Sequence, residues 1–243
     1  MITVFTTCFG RPEMFEKFCK HFASLEPTPN IIVAGANDDP CHAIAKEFQN
    51  VVYFPHEQNL PLGQKNNAAC KFASRFESDY LIYVGDDNFM SQSMWDYYNR
   101  FEGDFLGLSD LYFYDGDKMY YFMGYTKPLR ASKGIDRTGE PLGPFKLVKT
   151  EILKSVGFEP WDNTTTRATD WSFWNTIKRL VPSPTVVRMS ETGGAALDYK
   201  SSVGLTKLST IPNTCLVEAK PILREVGLYR SGICEVALAD TSN

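Results

Sequence analysis

The chain has 243 residues and a formal net charge of -4, and its 43% hydrophobic content at that length suffices for one full α/β core. The acidic balance excludes a broad basic face that grips nucleic acid non-specifically, although it leaves room for a local basic patch. No apolar run approaches membrane-spanning length and the chain opens directly on a strand pattern, so a cytoplasmic protein without integral membrane association is expected. The six cysteines, Cys8, Cys19, Cys41, Cys70, Cys215 and Cys234, show no CxxC spacing and read as free thiols, mostly buried.

The elements begin with "ITVFTTCFG", an apolar run ending at Gly10 and followed by Arg11 and Pro12, a proline suited to the first turn of a helix. In that helix Phe15, Phe18, Phe22 and Leu25 recur at three- and four-residue spacing and form one apolar face. "IIVAGANDD" predicts a second buried strand, "HAIAKEFQN" a short helix and "VVYFP" a third strand. "GQKNNAACKFASRF" then predicts a helix leading into the strand "DYLIYVG". This alternation predicts a Rossmann-like, doubly wound and mostly parallel sheet. Ligands collect at the carboxyl ends of such strands, where Thr6 to Arg11, Asp38-Asp39 and Asp86-Asp87 all fall.

Past Ser91 the pattern changes. "MWDYYNRF" predicts a helix, and "DFLGLSDLYFYDGDKMYYFMGYT" predicts two strands joined around Asp115-Gly116-Asp117, a hairpin signal that adds a small antiparallel portion. Lys127 to Pro144 is a long polar loop rich in Gly and Pro, and loops of that length inside a domain are usually functional. Its Lys127, Arg130, Lys133 and Arg137 are either solvated charges or cover for an anionic ligand. "KTEILKSVG", with Gly157 as a stop signal, and "TDWSFWNTIKRL" predict two helices, and "PTVVRMS" a strand.

Asp86 and Asp87 pose the sharpest chemical question, because adjacent carboxylates at the end of a buried strand repel each other and need open water or a cation. Asp86-Asp87-Asn88 is either a solvated turn or an oxygen donor set for a hard divalent cation that bridges a diphosphate. Asp38-Asp39 repeats the pattern one strand earlier, either as a helix-entry cap or as an acceptor for base N–H groups and ribose hydroxyls. Asp170 stands at a helix start beside Trp171, Phe173 and Trp174, as a capping residue or a general base.

The stretch "GPFKLVKTEILKSVGFEPWDNTTTRATDWSFWNTIKR", Gly143 to Arg179, resembles a segment of family-two-type glycosyltransferases of the GT-A fold. In that segment a Gly-led strand, a helix ending in "VGGF", a variable loop and an "ED" pair follow in order, matched here by Gly157-Phe158 and Asp170. "ITVFTTCFGRPE" resembles the same family's first nucleotide-binding strand, "NLPLGQKNNAACKFA" its "N-x-G-x-x-x-A-R-N-x-G" segment, and "YLIYVGDDN" its metal-binding DxD segment. The likeness runs from Ile2 to Arg179.

The resemblance implies a GT-A fold in one domain, with a nucleotide-binding half over 1–90, an acceptor half over 91–190 and a C-terminal appendage over 191–243. It implies transfer of a sugar from a nucleoside-diphosphate donor, a UDP-sugar first among them, with Mn2+ or Mg2+ as cofactor. Thr6, Thr7 and Arg11 with Asp38 or Asp39 would line the base and ribose pocket, Lys65 and Asn66 would reach the nucleotide or sugar, and Asp86 would belong to the donor-nucleotide site or, in a shifted register, take the place of the first metal-binding acid. Asp87 would ligate the metal and Asp170 would act as base, which gives inversion by a single displacement.

Three departures stand out. Gly85 occupies the place of the first DxD acid, Thr169 that of the Glu before the base, and no late histidine exists, since His21, His42 and His56 all lie in the first quarter. "ETGGAALDYKSS" offers Asp198 as an oxygen ligand and Lys200 as a diphosphate contact, or else a Gly-Gly turn with a solvated charge pair. A glycan or small-molecule acceptor is expected first. An alternative is a hydroxymethylated pyrimidine base in DNA, as in phage-type enzymes of similar appearance, with Trp161 or Trp171 stacking on the extruded base. A third reading is a nucleotide-binding module without catalysis. A nucleotidyltransferase ranks lower, because "TTCFGRPE" has a single glycine.

Overall fold

Apolar runs of four to six residues separated by helices build the first half, in the order β1 (Ile2–Thr7), α1 (Pro12–Ala23), β2 (Asn30–Gly35), α2 (Cys41–Ala45), β3 (Val51–Pro55), α3 (Leu62–Ala73) and β4 (Tyr80–Tyr83). The second half continues with β5 (Asn88–Met90), α4 (Gln92–Asn99), β6 (Phe105–Leu108), β7 (Leu111–Tyr114), β8 (Met119–Phe122), β9 (Lys146–Lys149), α5 (Thr150–Lys154) and α6 (Thr169–Leu180). It closes with β10 (Thr185–Val187), α7 (Met189–Thr192), β11 (Ala196–Tyr199), β12 (Thr214–Val217) and α8 (Ala219–Glu225). The computed structural model describes residues 1–57, 59–125, 137–200 and 214–228. Lys127, Arg130, Lys133 and Cys234 lie outside the described residues.

A seven-stranded sheet has the order β10-β6-β9-β4-β1-β2-β3, with β9 antiparallel to both β4 and β6 and the other neighbours parallel. Its strands are largely apolar because both faces are covered. Val4, Ile31 and Val33 pack with Phe15, Phe18 and Phe22 of α1 on one face. Phe5, Ile32, Ala34 and Leu81, one residue out of phase, pack on the other with Ala69 and Cys70 of α3 and Phe173 and Ile177 of α6. Each fully buried phenylalanine of α1 contributes roughly 2 kcal/mol relative to exposure.

A second sheet has five strands in the order β12-β8-β7-β11-β5. The expected hairpin forms between β7 and β8, where Asp115 Oδ1 accepts the backbone N–H groups of Asp117 at 3.0 Å and Lys118 at 2.7 Å. The stretch read as two strands is three: the chain leaves the large sheet after β6 and enters the small one at β7. Asp110 makes that break. It is 3% exposed, and it accepts Met189 N–H at 2.7 Å and the Tyr121 hydroxyl at 2.5 Å, bonds that a continuing strand would not supply. β11, within the stretch expected to be an appendage, lies inside the second sheet between β7 and β5.

The cysteines behave as read: Cys8, Cys19, Cys41 and Cys70 are buried free thiols and Cys215 is an exposed one. Among the described residues no helix is long and apolar enough to cross a membrane.

Candidate active site

Beyond the end of β4 the chain turns through Val84 and Gly85 into β5. Asn88 builds the turn, accepting Gly85 N–H on Oδ1 at 2.8 Å and donating its own N–H to Gly85 O at 3.0 Å. A Cβ on Gly85 would lie 2.5 Å from Asn88 Oδ1 and 2.9 Å from Asp87 Oδ1, so the tight turn requires glycine where a first acid was expected. Asp86 and Asp87 are thereby presented beside the end of β1. Arg11 spans them, Nη1 donating to Asp87 Oδ2 at 2.7 Å and Nη2 to Asp86 Oδ1. From the other side β11 pairs with β5 in the register Asp198 opposite Asn88, and Tyr199 N–H donates to Asp87 O at 2.8 Å. Asp198 joins the group, with Lys200 Nζ on its Oδ2 at 2.5 Å.

Asp86 and Asp198 are 2% and 6% exposed, and Asp86 Oδ2 and Asp198 Oδ1 are buried without a hydrogen-bond partner. Burial pushes Asp86 up to about 7, with Asp87 adding to the rise and Arg11 opposing it. Burial likewise pushes Asp198 up to about 7, against the opposing charge of Lys200 and with Asp87 adding. Buried carboxylate oxygens without donors are costly. A hard divalent cation relieves that cost, and Asp86, Asp87 and Asp198 offer the oxygen donors that Mn2+ or Mg2+ takes, although their ligand atoms do not gather within 4.8 Å of one another as those of Cys8, Asp39 and Cys41 do.

The adjoining cleft measures about 420 Å3, within the range of small-molecule sites, and its walls include Thr7, Phe9, Arg11, Lys65, Asp86 and Asp87. A larger hollow of about 640 Å3 lies by α1, walled by Glu13, Glu16, Lys17 and Lys20 among others, but no unpartnered buried polar atom of the described residues faces it. The unpartnered buried oxygen of Asp86 borders the smaller cleft instead.

Among the residues expected to bind a nucleotide, Thr7 opens on the cleft and its Oγ1 donates to Asn66 Oδ1 at 3.4 Å. Thr6 and Asn66 are fully buried, and Thr6 Oγ1 and Asn66 Nδ2 have no partner. Lys65 is 1% exposed and donates to Cys8 O at 2.6 Å and Asn59 Oδ1 at 2.8 Å. Asp38 is exposed. Asp39 is buried and accepts Gly10 N–H at 2.8 Å and Cys41 N–H at 2.9 Å, which pins the loop carrying Phe9 to Arg11. Burial works to raise the Asp39 carboxyl, yet these hydrogen bonds and Lys65 hold it below the usual range.

Cys8, Asp39 and Cys41 also place ligand atoms within 4.8 Å of one another, a spacing that suits an ion. Both Asp39 oxygens already accept backbone N–H groups, and the Cys41 thiol is raised by its hydrogen bond to Cys8 and by burial. The cluster therefore acts as an internal anchor, and the unpartnered oxygens of Asp86 and Asp198 are the better place for a hard cation.

Asp170 lies in the first turn of α6, its side chain 38% exposed, with Oδ1 at 3.6 Å from Nζ of Lys146, a lysine 1% exposed. Gly143 makes the room: a Cβ there would lie 2.7–2.8 Å from the Asp170 carboxylate atoms. Burial raises the Tyr83 hydroxyl, and Asp170, Asp87 and Asp86 add to the rise in that order, so Tyr83 lies within electrostatic reach of both acid groups. Lys200 is raised by Asp198, Asp87 and Asp170 against the effect of burial, a second link across the same space.

Trp161 is a correction. It is 4% exposed and packed against Phe5, Tyr83 and Phe173, so it belongs to the core and offers no face for a stacked base. Trp171, next to Asp170, is 38% exposed. Lys146 escaped the sequence reading, although a lysine inside the apolar run "PFKLV" was a signal for a buried charge with a partner.

No protein-family model and no curated protein matches the chain. Solved structures do match. S. aureus TarS 1–349 in complex with UDP-GlcNAc superposes with a TM-score of 0.63 at 14% identity, over 92% of this chain and 63% of that one. Glucosyl-3-phosphoglycerate synthase from Mycobacterium tuberculosis in complex with Mn2+, UDP and glucosyl-3-phosphoglycerate gives 0.53 at 14% identity, over 96% and 82%. A 4-diphosphocytidyl-2C-methyl-D-erythritol synthase gives 0.52 at 10% identity, over 86% and 93%. The chain spans 60–63% of the length of the TarS fragment. At these identities the likeness establishes the fold: the chain has the GT-A glycosyltransferase-like fold that the sequence resemblance implied, with the central, mostly parallel sheet in place.

Proposed function

We propose that the chain is a metal-dependent glycosyltransferase that moves a sugar from a nucleoside-diphosphate donor, a UDP-sugar first among them, to an acceptor hydroxyl with inversion. The observation that carries this reading is the placement of Asp86, Asp87 and Asp198 at one edge of the sheets, two of them with unpartnered buried oxygens, with Asp170 near enough to act electrostatically on the same Tyr83 and Lys200. It is supported by the fold shared with structures solved with UDP-GlcNAc and with Mn2+ and UDP.

Asp87, Asp86 and Asp198 would hold Mn2+ or Mg2+, which when bound neutralises charge developing on the departing diphosphate. Lys200 and Arg11 add positive charge at the same edge. Thr7 and Lys65 line the nucleotide end of the cleft with Arg11, and Asp39 acts on it by fixing the loop that carries Phe9 and Arg11. Asp170 takes the proton of the acceptor hydroxyl on a carboxylate oxygen, on the face opposite the diphosphate, which makes the reaction a single inverting displacement. Holding both reactants in one cleft supplies the proximity contribution. The carboxylate missing at Gly85 is supplied from β11 as Asp198. A single glycine, Gly10, in the loop after β1 favours sugar transfer over nucleotidyl transfer.

The acceptor is a glycan or small-molecule hydroxyl. Trp171, exposed beside Asp170, favours a second reading in which a hydroxymethylated pyrimidine of DNA stacks there after extrusion from the duplex.

Melting the protein with Mn2+ and a panel of UDP-, GDP- and TDP-sugars tests the donor. A sugar nucleotide at 100 times its dissociation constant should add about 2.7 kcal/mol and raise Tm by about 5–10 °C, with slow hydrolysis of the same donor. No response to any donor overturns the reading, and binding without turnover in any acceptor assay points to a catalytically silent module. Duplexes with plain and hydroxymethylated pyrimidines separate the acceptor classes.

A further inference from the structure

We propose that Lys146 is a positioning residue for Asp170, its buried ammonium holding the carboxylate at the edge of the cleft. The inference rests on the reading of Asp170 as general base.

Lys146 sits in β9, a central strand of the large sheet, where it pairs with Tyr83 of β4. It is 1% exposed, and Asp170 is the one carboxylate within ion-pair distance of its Nζ among the described residues. The second contact comes from the same helix, the Phe173 ring with its centroid 5.1 Å from Nζ. Asp170 and Phe173 are three residues apart in α6 and so share the face turned to β9. An apolar residue of equal length would fill this place without the desolvation penalty of an ammonium. A lysine here serves the anion it meets.

The backbone on both sides of the pair is constrained. Gly143 leaves no space for a Cβ against the Asp170 carboxylate. Phe145, next to Lys146, has φ +62°, and Ala168, two residues before Asp170, has φ +56°, a left-handed region unfavourable to both. Phe145 is locked there by the Tyr98 hydroxyl donating to its carbonyl at 2.9 Å and by its own N–H on Tyr83 O at 2.9 Å. Unfavourable conformations of this kind persist where the surroundings over-determine a geometry.

The other charged or titratable groups near the pair are Arg137 and Glu140, which pair with each other at 2.7 Å, the neutral phenols Tyr125, beneath Arg137, and Tyr83, and Lys200 toward the cleft. Burial lowers Lys146 from its ordinary value and Arg137 adds to the fall, while Asp170 is the largest influence opposing it.

Two measurements on the full chain test the proposal. In lysine-labelled protein the Lys146 Cε resonance should titrate at lower pH in Asp170→Asn than in the unmodified chain, and an unmoved midpoint overturns the pairing whether or not the protein turns over a donor. In Lys146→Met, Mn2+-dependent hydrolysis of UDP-glucose and UDP-GlcNAc should show a kcat about ten-fold lower or less, with donor KM within two-fold and Tm maintained. Unchanged kcat, or a Tm that falls with it, overturns the positioning role. If the unmodified chain hydrolyses no donor of the UDP-, GDP- and TDP-sugar panel, it is the sugar-transfer reading that fails, and the resonance shift still decides the pair.

Discussion

Asp86 and Asp87 are neighbours in the chain with different surroundings: Asp86 is sealed with one oxygen lacking a donor, while the Asp87 side chain is 19% exposed in the cleft. Asp87→Ala is expected to abolish the Mn2+-dependent part of donor stabilisation, leaving a Tm shift under about 1 °C, which a melt with and without metal measures. Gly143→Ala addresses the opposite wall. The new Cβ would sit 2.7–2.8 Å from the Asp170 carboxylate and must displace it. Because a displacement of about 1 Å can cost about 100-fold, kcat should fall by roughly that factor while the donor-induced Tm shift is retained. The Asp87 outcome follows from the role that the sequence resemblance implied, whereas the Gly143 outcome was not readable there, since a glycine leading a strand shows no contact with Asp170 until the helix that carries it is packed alongside.

At the level of elements, α3 is tied to the segment after α5 by the exposed pair Lys71–Glu159 at 3.1 Å, by Gly63 N–H donating to Thr165 O at 2.8 Å and by one buried side chain, that of Asn67. Asn67, 3% exposed, donates to Trp161 O at 2.8 Å and accepts Trp161 N–H at 3.0 Å. Asn67→Ala leaves both backbone groups of a buried tryptophan unpaired, so a loss of about 2–3 kcal/mol is expected in urea unfolding. The helices and parallel strands were legible because their apolar spacing is local: Phe15, Phe18 and Phe22 mark one helix face in any context. The division of "DFLGLSDLYFYDG" between β6 and β7 was not, because Asp110 ends the strand through partners at Tyr121 and Met189 that only folding brings near. Trp161 was misread for a related reason: an aromatic in a loop-like stretch gives no local sign of whether its ring faces solvent or Phe5.

For the molecule as a whole, His21 links α1 of the large sheet to β5 of the small one, accepting Met90 N–H on Nε2 at 3.3 Å. Burial lowers its pKa to about 4, so the imidazole is neutral in the folded chain. Between about 4 and 6.5 the unfolded chain binds the extra proton, and stability therefore rises with pH across that window and is complete above it. Urea titrations at pH 7 and pH 4.5 should differ by up to roughly 3 kcal/mol from this group, and His21→Gln should flatten the difference. The sequence by itself determined the order of elements, the two-sided burial of the sheet and the delivery of acids to its carboxyl edge, because strand and helix periodicities and chain order are properties of neighbouring residues. Only the tertiary structure decided that Asp198 stands beside Asp87, that Lys146 meets Asp170 and that Arg11 spans the acid pair, because strand register and helix docking join residues far apart in the chain, and no local pattern encodes who will be buried against whom.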